Sequence, residues 1–321
     1  MFEKILITGA TGFIGRKLVD TLSKDATIKV VATSRHEFEQ TAQNIETVKV
    51  PDLSESNHWS EILDGVSHVV HLAARVHIMQ DKSADPLHEY RKANTDGTIS
   101  LARQAAAVGV KRFIFLSTIK VNGEKTELGS PFRESDSVAP TDPYAISKWE
   151  TEQRLYDISK NTGMEIVIIR PPLVYGSGVK ANFRTIINLV NKGIPLPLGA
   201  ADCNKRSLVA IDNLVDFIIV CLQHPAAINQ VFLVSDGEDL SIKNLIQRIA
   251  HASGKTARLL PVPLWLMRKA AQLLGKTAVT DRLLDSLQVD ISKARKMLDW
   301  TPPVVIDQAL KEIFQEQEQV K

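Results

Sequence analysis

The chain has 321 residues, enough for a large core and more than one hydrophobic centre. It is 44% hydrophobic and 24% charged, and its formal net charge of only +2 points away from nucleic acid or an anionic membrane as the main partner. Two cysteines, Cys203 and Cys221, are too few for a disulfide framework or a zinc site and read as free thiols in a reducing compartment.

The first predicted element is a strand over 4–8, and a glycine turn and a helix over 12–23 follow it. Its apolar run Ile5-Leu6-Ile7 is too short for the core of a signal peptide, and no stretch approaches the length of a membrane span. The expected location is therefore the cytoplasm. Further strands are predicted over 29–33, 47–50, 68–72, 112–117 and 165–170, with helices over 93–108 and 147–160. Each strand is short, apolar and bounded by polar residues or glycine, as in a parallel sheet buried on both faces. This alternation predicts an α/β fold: a doubly wound parallel-sheet Rossmann domain over 1–170. After Arg170 the texture changes, with Pro171, Pro172, Pro195 and Pro197 and amphipathic stretches over 183–191, 213–222, 242–252, 264–274 and 307–317. These predict a smaller, mainly helical substrate domain over 171–321, interleaved with the first through segments near 207–236, where a strand over 231–235 returns to the sheet. The run Trp265-Leu266-Met267, Ala270-Ala271 and Leu273-Leu274 reads as a helix facing the core rather than a membrane surface.

The turn after the first strand carries Gly9, Gly12 and Gly15. Gly9 suits the tight turn, Gly12 lets backbone approach a pyrophosphate, and Gly15 allows close helix–strand packing. The helix N-terminus adds N–H groups and a positive dipole end, so Thr11, Phe13 and Ile14 join the expected phosphate contacts. The Gly-x-x-Gly-x-x-Gly spacing resembles the extended short-chain dehydrogenase/reductase family of NAD-dependent epimerase/dehydratase type. Other segments carry the same resemblance in the same order: Asp52-Leu53, His71-Leu72-Ala73-Ala74, Asn94-Thr95-Asp96-Gly97-Thr98, Arg170-Pro171-Pro172-Leu173-Val174-Tyr175-Gly176 and the tail Asp290 to Pro302. Leu173 stands where the family has Asn. The resemblance implies that Leu72, Ala73, Ala74, Asn94, Ser117 and Pro171 lie beside the cofactor, with Asp52 and Leu53 near its adenine.

Tyr144 and Lys148 are four residues apart, on one face of a helix. A free tyrosine has a pKa of about 10, poorly matched to neutral pH. An ammonium one turn away and a nicotinamide cation would favour its phenolate. Tyr144 would then exchange the proton of a carbinol, and Lys148 would also hold the cofactor ribose, as the resemblance implies. Thr118 occupies the family's catalytic hydroxyl position, with Ser117 before it nearer the cofactor. Family members that eliminate water resemble Thr-Asp-Glu here, whereas this chain has Thr118-Ile119-Lys120, which lacks the extra acid and base. Lys120 is instead a candidate substrate contact, and Asn122 stands where Tyr is usual.

The predicted second strand runs into Ser34-Arg35-His36, with no acid in the slot that holds a ribose 2′-hydroxyl. Arg35 suits a 2′-phosphate, so NADP is the expected cofactor, with NAD as the alternative served by Glu37 or another group. The resemblance implies a UDP-sugar substrate held by Asn182, Arg206 and Arg282. An arginine fork matches phosphate oxygens. His71 reads as packed in a strand, and the histidines show no metal spacing.

Three functions are open at this point. The first is an NADPH-dependent reductase of a UDP-4-keto-6-deoxy-N-acetylhexosamine, similar to those forming UDP-N-acetylquinovosamine in surface-polysaccharide (lipopolysaccharide O-antigen) biosynthesis. The alternative is a 4-epimerase of UDP-glucose or UDP-N-acetylglucosamine that retains its NAD. The third, a non-catalytic NADP-sensing regulator, sits poorly with the retained Tyr144. The resemblance also implies a homodimer paired through the helices over 93–108 and 147–160.

Overall fold

The computed structural model describes residues 3–38, 40, 42–50, 52–53, 58–75, 85–179, 181–275 and 277–319. In chain order the first half forms β1 (Glu3–Thr8), α1 (Phe13–Leu22), β2 (Ile28–Ser34), β3 (Ile45–Lys49), β4 (His68–His71), α2 (Pro86–Tyr90), a π-helical turn (Arg91–Asp96), α3 (Gly97–Ala107), β5 (Arg112–Leu116), α4 (Pro143–Thr162) and β6 (Glu165–Arg170). The second half forms β7 (Leu173–Tyr175), α5 (Ala181–Asn191), β8 (Arg206–Ala210), α6 (Ile211–Gln223), β9 (Gln230–Leu233), β10 (Asp239–Leu240), α7 (Ile242–Ala252), α8 (Leu264–Leu273), α9 (Thr277–Leu284), α10 (Ser292–Leu298) and α11 (Ile306–Gln319).

Seven strands make one parallel sheet in the order β3-β2-β1-β4-β5-β6-β9. The expected Rossmann sheet is therefore present, and β9 joins it from the second half of the chain. Strand order reverses between β1 and β4, which opens a crevice at their carboxyl ends. Alternation along β1 explains its unbroken apolar run: Ile5 and Ile7 pack into the core shared with α1 and α6, while Leu6 packs into the opposite core with Val69, Phe113 and Leu155. A second sheet, β10-β8-β7, and helices α5, α7 and α11 enclose a third apolar cluster.

Three helices depart from the sequence expectation. The helix expected over 93–108 is preceded by α2, whose N-cap Asp85 accepts a hydrogen bond from the His88 N–H at 3.0 Å, and by the π turn. At Gly97, where α3 begins, a Cβ would lie 2.4 Å from the Leu53 carbonyl oxygen. We therefore expect Gly97→Ala to cost about 1–3 kcal/mol through forced movement of the Leu53 loop. Denaturant unfolding checks this, and a loss below about 0.5 kcal/mol would show that the loop yields freely.

Helix α4 starts at Pro143 instead of 147 because Asp142 accepts from the Ala145 N–H at 2.7 Å and Pro143 fits the first helical position. Tyr144 thereby lies in the first turn. Helix α8 corrects the core-facing expectation: only Ala271 is buried, with Leu264 and Met267 half-buried, while Trp265 is 61% and Leu273 88% exposed. Its apolar residues run round more of the helix than its packed side covers. Among the described residues no helix is long and apolar enough to cross a membrane.

Candidate active site

The glycine turn sits at the carboxyl end of β1. Gly9 has φ +71°, and a Cβ there would meet the Ala73 backbone nitrogen at 2.8 Å. A side chain is excluded twice over, by conformation and by the approach of the Leu72–Ala73 segment. A Cβ on Gly15 would lie 2.2 Å from the Gly9 carbonyl oxygen, so the close packing it permits is between α1 and the turn itself. Gly12 is the N-cap of α1 and brings no side-chain cap. Its N–H donates to the Gly9 oxygen at 2.9 Å. A cavity of about 500 Å³ starts at Thr11 and Gly12 and runs along α1 to Lys24, with Ser177, Asp212 and Glu312 on its other side. Thr118, Tyr144 and Lys148 do not line it. A side-chain-free turn at a helix N-terminus fits a dinucleotide pyrophosphate.

At the end of β2, Ser34 is buried and its hydroxyl donates to the His36 carbonyl. Arg35 is exposed, and the exposed Glu37 pairs with Lys49 at 3.2 Å. Asp52 is exposed and Leu53 half-buried. At the end of β4, His71 Nδ1 pairs with the Thr8 hydroxyl at 2.8 Å and Nε2 with the Thr98 hydroxyl at 2.9 Å. Burial, helped by Lys148, holds His71 down to about 3, so its ring is neutral and structural, as its strand position implied. Asn94 accepts from the Arg75 N–H at 2.7 Å and donates to the Ser147 hydroxyl at 3.2 Å, pinning the segment after β4 to α4. Leu72, Ala73 and Ala74 lie on that segment, each half-buried.

Helix α4 presents Tyr144, Lys148 and Glu152 at successive four-residue steps. Lys148 is 2% exposed. Its ammonium donates to the Leu116 carbonyl at 2.9 Å and lies 4.4 Å from the centre of the Phe115 ring. It is 5.9 Å from the centre of the Tyr144 ring. Burial pushes Lys148 down to about 7, against the opposing pull of Glu152. Tyr144 packs edge-on to Tyr90, with ring centres 6.0 Å apart. Burial first, then the charges of Asp142 and Tyr90, raises its phenol well above the ordinary tyrosine value, so the phenolate-favouring shift expected from Lys148 is not what the residues alone produce.

Thr118 follows β5, two residues past the carbonyl that holds Lys148, and is half-buried. Its hydroxyl caps a single 3-10 turn by accepting from the Lys120 N–H at 3.3 Å. The Pro171 carbonyl accepts from the Ile119 N–H at 3.0 Å, tying this turn to the end of β6. Ser117, expected beside the cofactor, turns its hydroxyl inward to Glu152 at 2.5 Å. Lys120, expected at the substrate, is ion-paired to Asp142, with Glu124 3.6 Å away. It braces the N-terminus of α4 below Tyr144.

Arg206 opens β8, and one arm of its fork donates to the Asp285 carbonyl at 2.9 Å. The side chains of Asn182 and Arg282 fall outside the described residues. Sequence reasoning missed Glu152, Arg170 and the brace at Asp142. A third four-residue step after Tyr144 and Lys148 was the available signal for Glu152. Among the described residues no group of three His, Cys, Asp or Glu side chains forms a metal site.

The model of the NAD dependent epimerase/dehydratase family matches residues 5–235. The chain is 47% identical over 315 residues to a UDP-glucose 4-epimerase of Vibrio cholerae, spanning 98% of this chain and 95% of that one. It is 27% identical over 274 residues to the N-acetyl-alpha-D-glucosaminyl-diphospho-ditrans,octacis-undecaprenol 4-epimerase of Escherichia coli O157:H7, spanning 83% and 78% of the two chains. The UDP-N-acetylglucosamine 4-epimerase from Bacillus cereus has the same fold, with a TM-score of 0.80 at 22% identity over 98% of this chain and 99% of that one. With a family model across most of its length and a 47% identical relative from end to end, this chain belongs to the NAD dependent epimerase/dehydratase family.

Proposed function

We propose that the protein is a 4-epimerase of a UDP-sugar, with UDP-glucose as the first candidate substrate. The observation that carries this reading is the end-to-end similarity to the Vibrio cholerae enzyme. It ranks the epimerase above the 4-keto-sugar reductase that the sequence motifs favoured. The site is compatible with either, and water elimination finds no support: Ile119 is buried and Lys120 is spent on Asp142.

The dinucleotide, when bound, supplies the hydride acceptor and donor for C4. Tyr144 takes the proton of the C4 hydroxyl and later returns it. Lys148 stabilises the phenolate form of Tyr144 that accepts this proton. The Thr118 hydroxyl hydrogen-bonds the C4 oxygen as its charge changes. The loop from Gly9 to Gly15 holds the pyrophosphate, and Leu72, Ala73 and Ala74 border the cofactor. The free arm of Arg206 takes the sugar's diphosphate. Asn94 and Ser117 act here by supporting the cofactor-side backbone and α4.

The proposed dinucleotide is NAD, the cofactor in the family's description. An epimerase returns its hydride to the same sugar and needs no exchange with a cellular pool. Exposed Arg35, beside the inward-turned Ser34, supports the NADP alternative.

Two measurements test this reading. Incubated with UDP-glucose and no added cofactor, the protein is expected to produce UDP-galactose up to an equilibrium mixture. Mass spectrometry of the nucleotide released from denatured protein should show NAD. Failure to interconvert these sugars, together with oxidation of NADPH by a UDP-4-keto-6-deoxy-N-acetylhexosamine, would replace the epimerase reading by the reductase.

A further inference from the structure

Behind Tyr144 and Lys148 lies a buried polar cluster centred on Glu152. Glu152 is wholly buried, one helical turn beyond Lys148. Its carboxylate accepts from Ser117 Oγ at 2.5 Å, Arg170 Nε at 3.0 Å and Arg170 Nη2 at 2.5 Å. Arg170, 3% exposed at the end of β6, gives its other arm to the Asn122 side-chain oxygen at 2.9 Å. Asn122 in turn donates to the Arg133 carbonyl at 3.0 Å. The guanidinium also lies 5.8 Å from the centre of the Trp149 ring.

The cluster therefore joins four pieces of the site: the strand end bearing Ser117 and Thr118, the helix bearing Tyr144 and Lys148, the end of β6, and the turn after Thr118. It also holds an unequal set of charges. One buried anion, Glu152, is ion-paired to Arg170 and lies one helical turn from Lys148, whose own ammonium is bonded to the Leu116 carbonyl. A fixed fork commits that anion to Arg170, so only part of its field reaches Lys148.

We propose that Glu152 and Arg170 are positioning residues that work as an opposed pair, Glu152 favouring the charged form of Lys148 and Arg170 restraining it, while together they hold the Thr118 strand end against α4. The inference rests on reading Tyr144 and Lys148 as the proton-handling pair.

The other groups facing this site do not substitute for Glu152. On α4 these are Tyr144 itself and Tyr156, whose phenol burial and Glu152 push up to about 12. His71, across from Lys148 on β4, is neutral. Asp142 and Tyr90 act on Tyr144 from the far side. Glu152 is the acid acting on Lys148, and it opposes the effect of burial.

The test reads Lys148 directly. The full-length protein is labelled with ¹³C at the lysine ε-carbons, and the Lys148 resonance is assigned by its loss in Lys148→Arg. Its pH midpoint is then followed with no substrate present. Glu152→Gln is expected to lower that midpoint by about one pH unit, and Arg170→Met to raise it by a similar amount. The alkaline limb of the turnover–pH profile moves the same way in each, so Glu152→Gln loses about tenfold in rate above the midpoint. A purely structural cluster would lower stability in both variants and leave both midpoints in place, and that result overturns the proposal. If Glu152→Gln does not fold, the upward movement in Arg170→Met decides alone. If neither folds, Ser117→Ala removes one donor from the carboxylate and should raise the midpoint, and no movement sinks the proposal. The two ideas fail separately. A moving midpoint with an unmoved rate profile removes the catalytic reading of Lys148 but not the pairing. A fixed midpoint with turnover lost in Tyr144→Phe does the reverse.

Discussion

Tyr144→Phe is expected to lower turnover by about 10³-fold, within the range of 10²–10⁴ that a positioned proton donor contributes. The change removes one oxygen and keeps the ring, so the edge contact with Tyr90 at 6.0 Å and the first turn of α4 remain. The cradle around Gly9, Gly12 and Gly15 is built from other elements, and dinucleotide affinity should stay within about twofold of the parent. That split separates a role in the chemistry from one in holding the cofactor. Steady-state assays with UDP-glucose and a separate dinucleotide-binding titration check both halves. Full activity in this variant would remove Tyr144 from the reaction. Equal loss of activity and binding would make it a structural residue.

Lys148→Met is expected to abolish measurable turnover and, at neutral pH, to stabilise the fold. Lys148 is 2% exposed, and burial holds it down to about 7 against an ordinary lysine value of 10.5. A folded value below the unfolded one means that the fold disfavours the ammonium. Below about pH 7 the group is protonated in both states, and the penalty is present in full. Between about 7 and 10.5 the folded chain has released its proton while the unfolded chain keeps it, so parent stability climbs through that window. Methionine fills much the same volume without charge, so its gain is largest at and below pH 7 and fades towards pH 10.5. On the order of a few kcal/mol is at stake, since each pH unit corresponds to about 1.4 kcal/mol. Thermal unfolding of the cofactor-free variant across that pH range checks the sign. A lower melting temperature than the parent at pH 7 would show that the Leu116 hydrogen bond and Glu152 outweigh the burial cost. A stabilised but inactive variant would show an active site kept at the expense of stability.

Much of this molecule is legible in its sequence. The strands of the sheet are short apolar runs between polar or glycine boundaries, a pattern set by burial on both faces, and β1 to β6 fall where that pattern placed them. The glycine turn was equally legible, because the positive φ of Gly9 and the approach of Gly15 to the Gly9 carbonyl are set within the turn itself. That Tyr144 and Lys148 share one face of a helix was legible from their four-residue spacing. The sugar chemistry was less so: epimerase and reductase share these residues, and the choice between them came from similarity along the whole chain.

What the tertiary structure decided is where charged and apolar groups find their partners. Nothing local to Lys120 reveals that its ammonium meets Asp142, twenty-two residues on. Trp265, Leu273 and Leu274 have the hydrophobicity of core residues, yet α8 is packed on one side only and leaves them outside. Most of all, Glu152, Arg170, Ser117 and Asn122 come from a helix, two strand ends and a turn, and become one network only when α4 lies across β5 and β6. Periodicity reports which face of an element is buried. Which charge is buried against which other charge depends on contacts between elements far apart in the chain, and sequence spacing does not encode those.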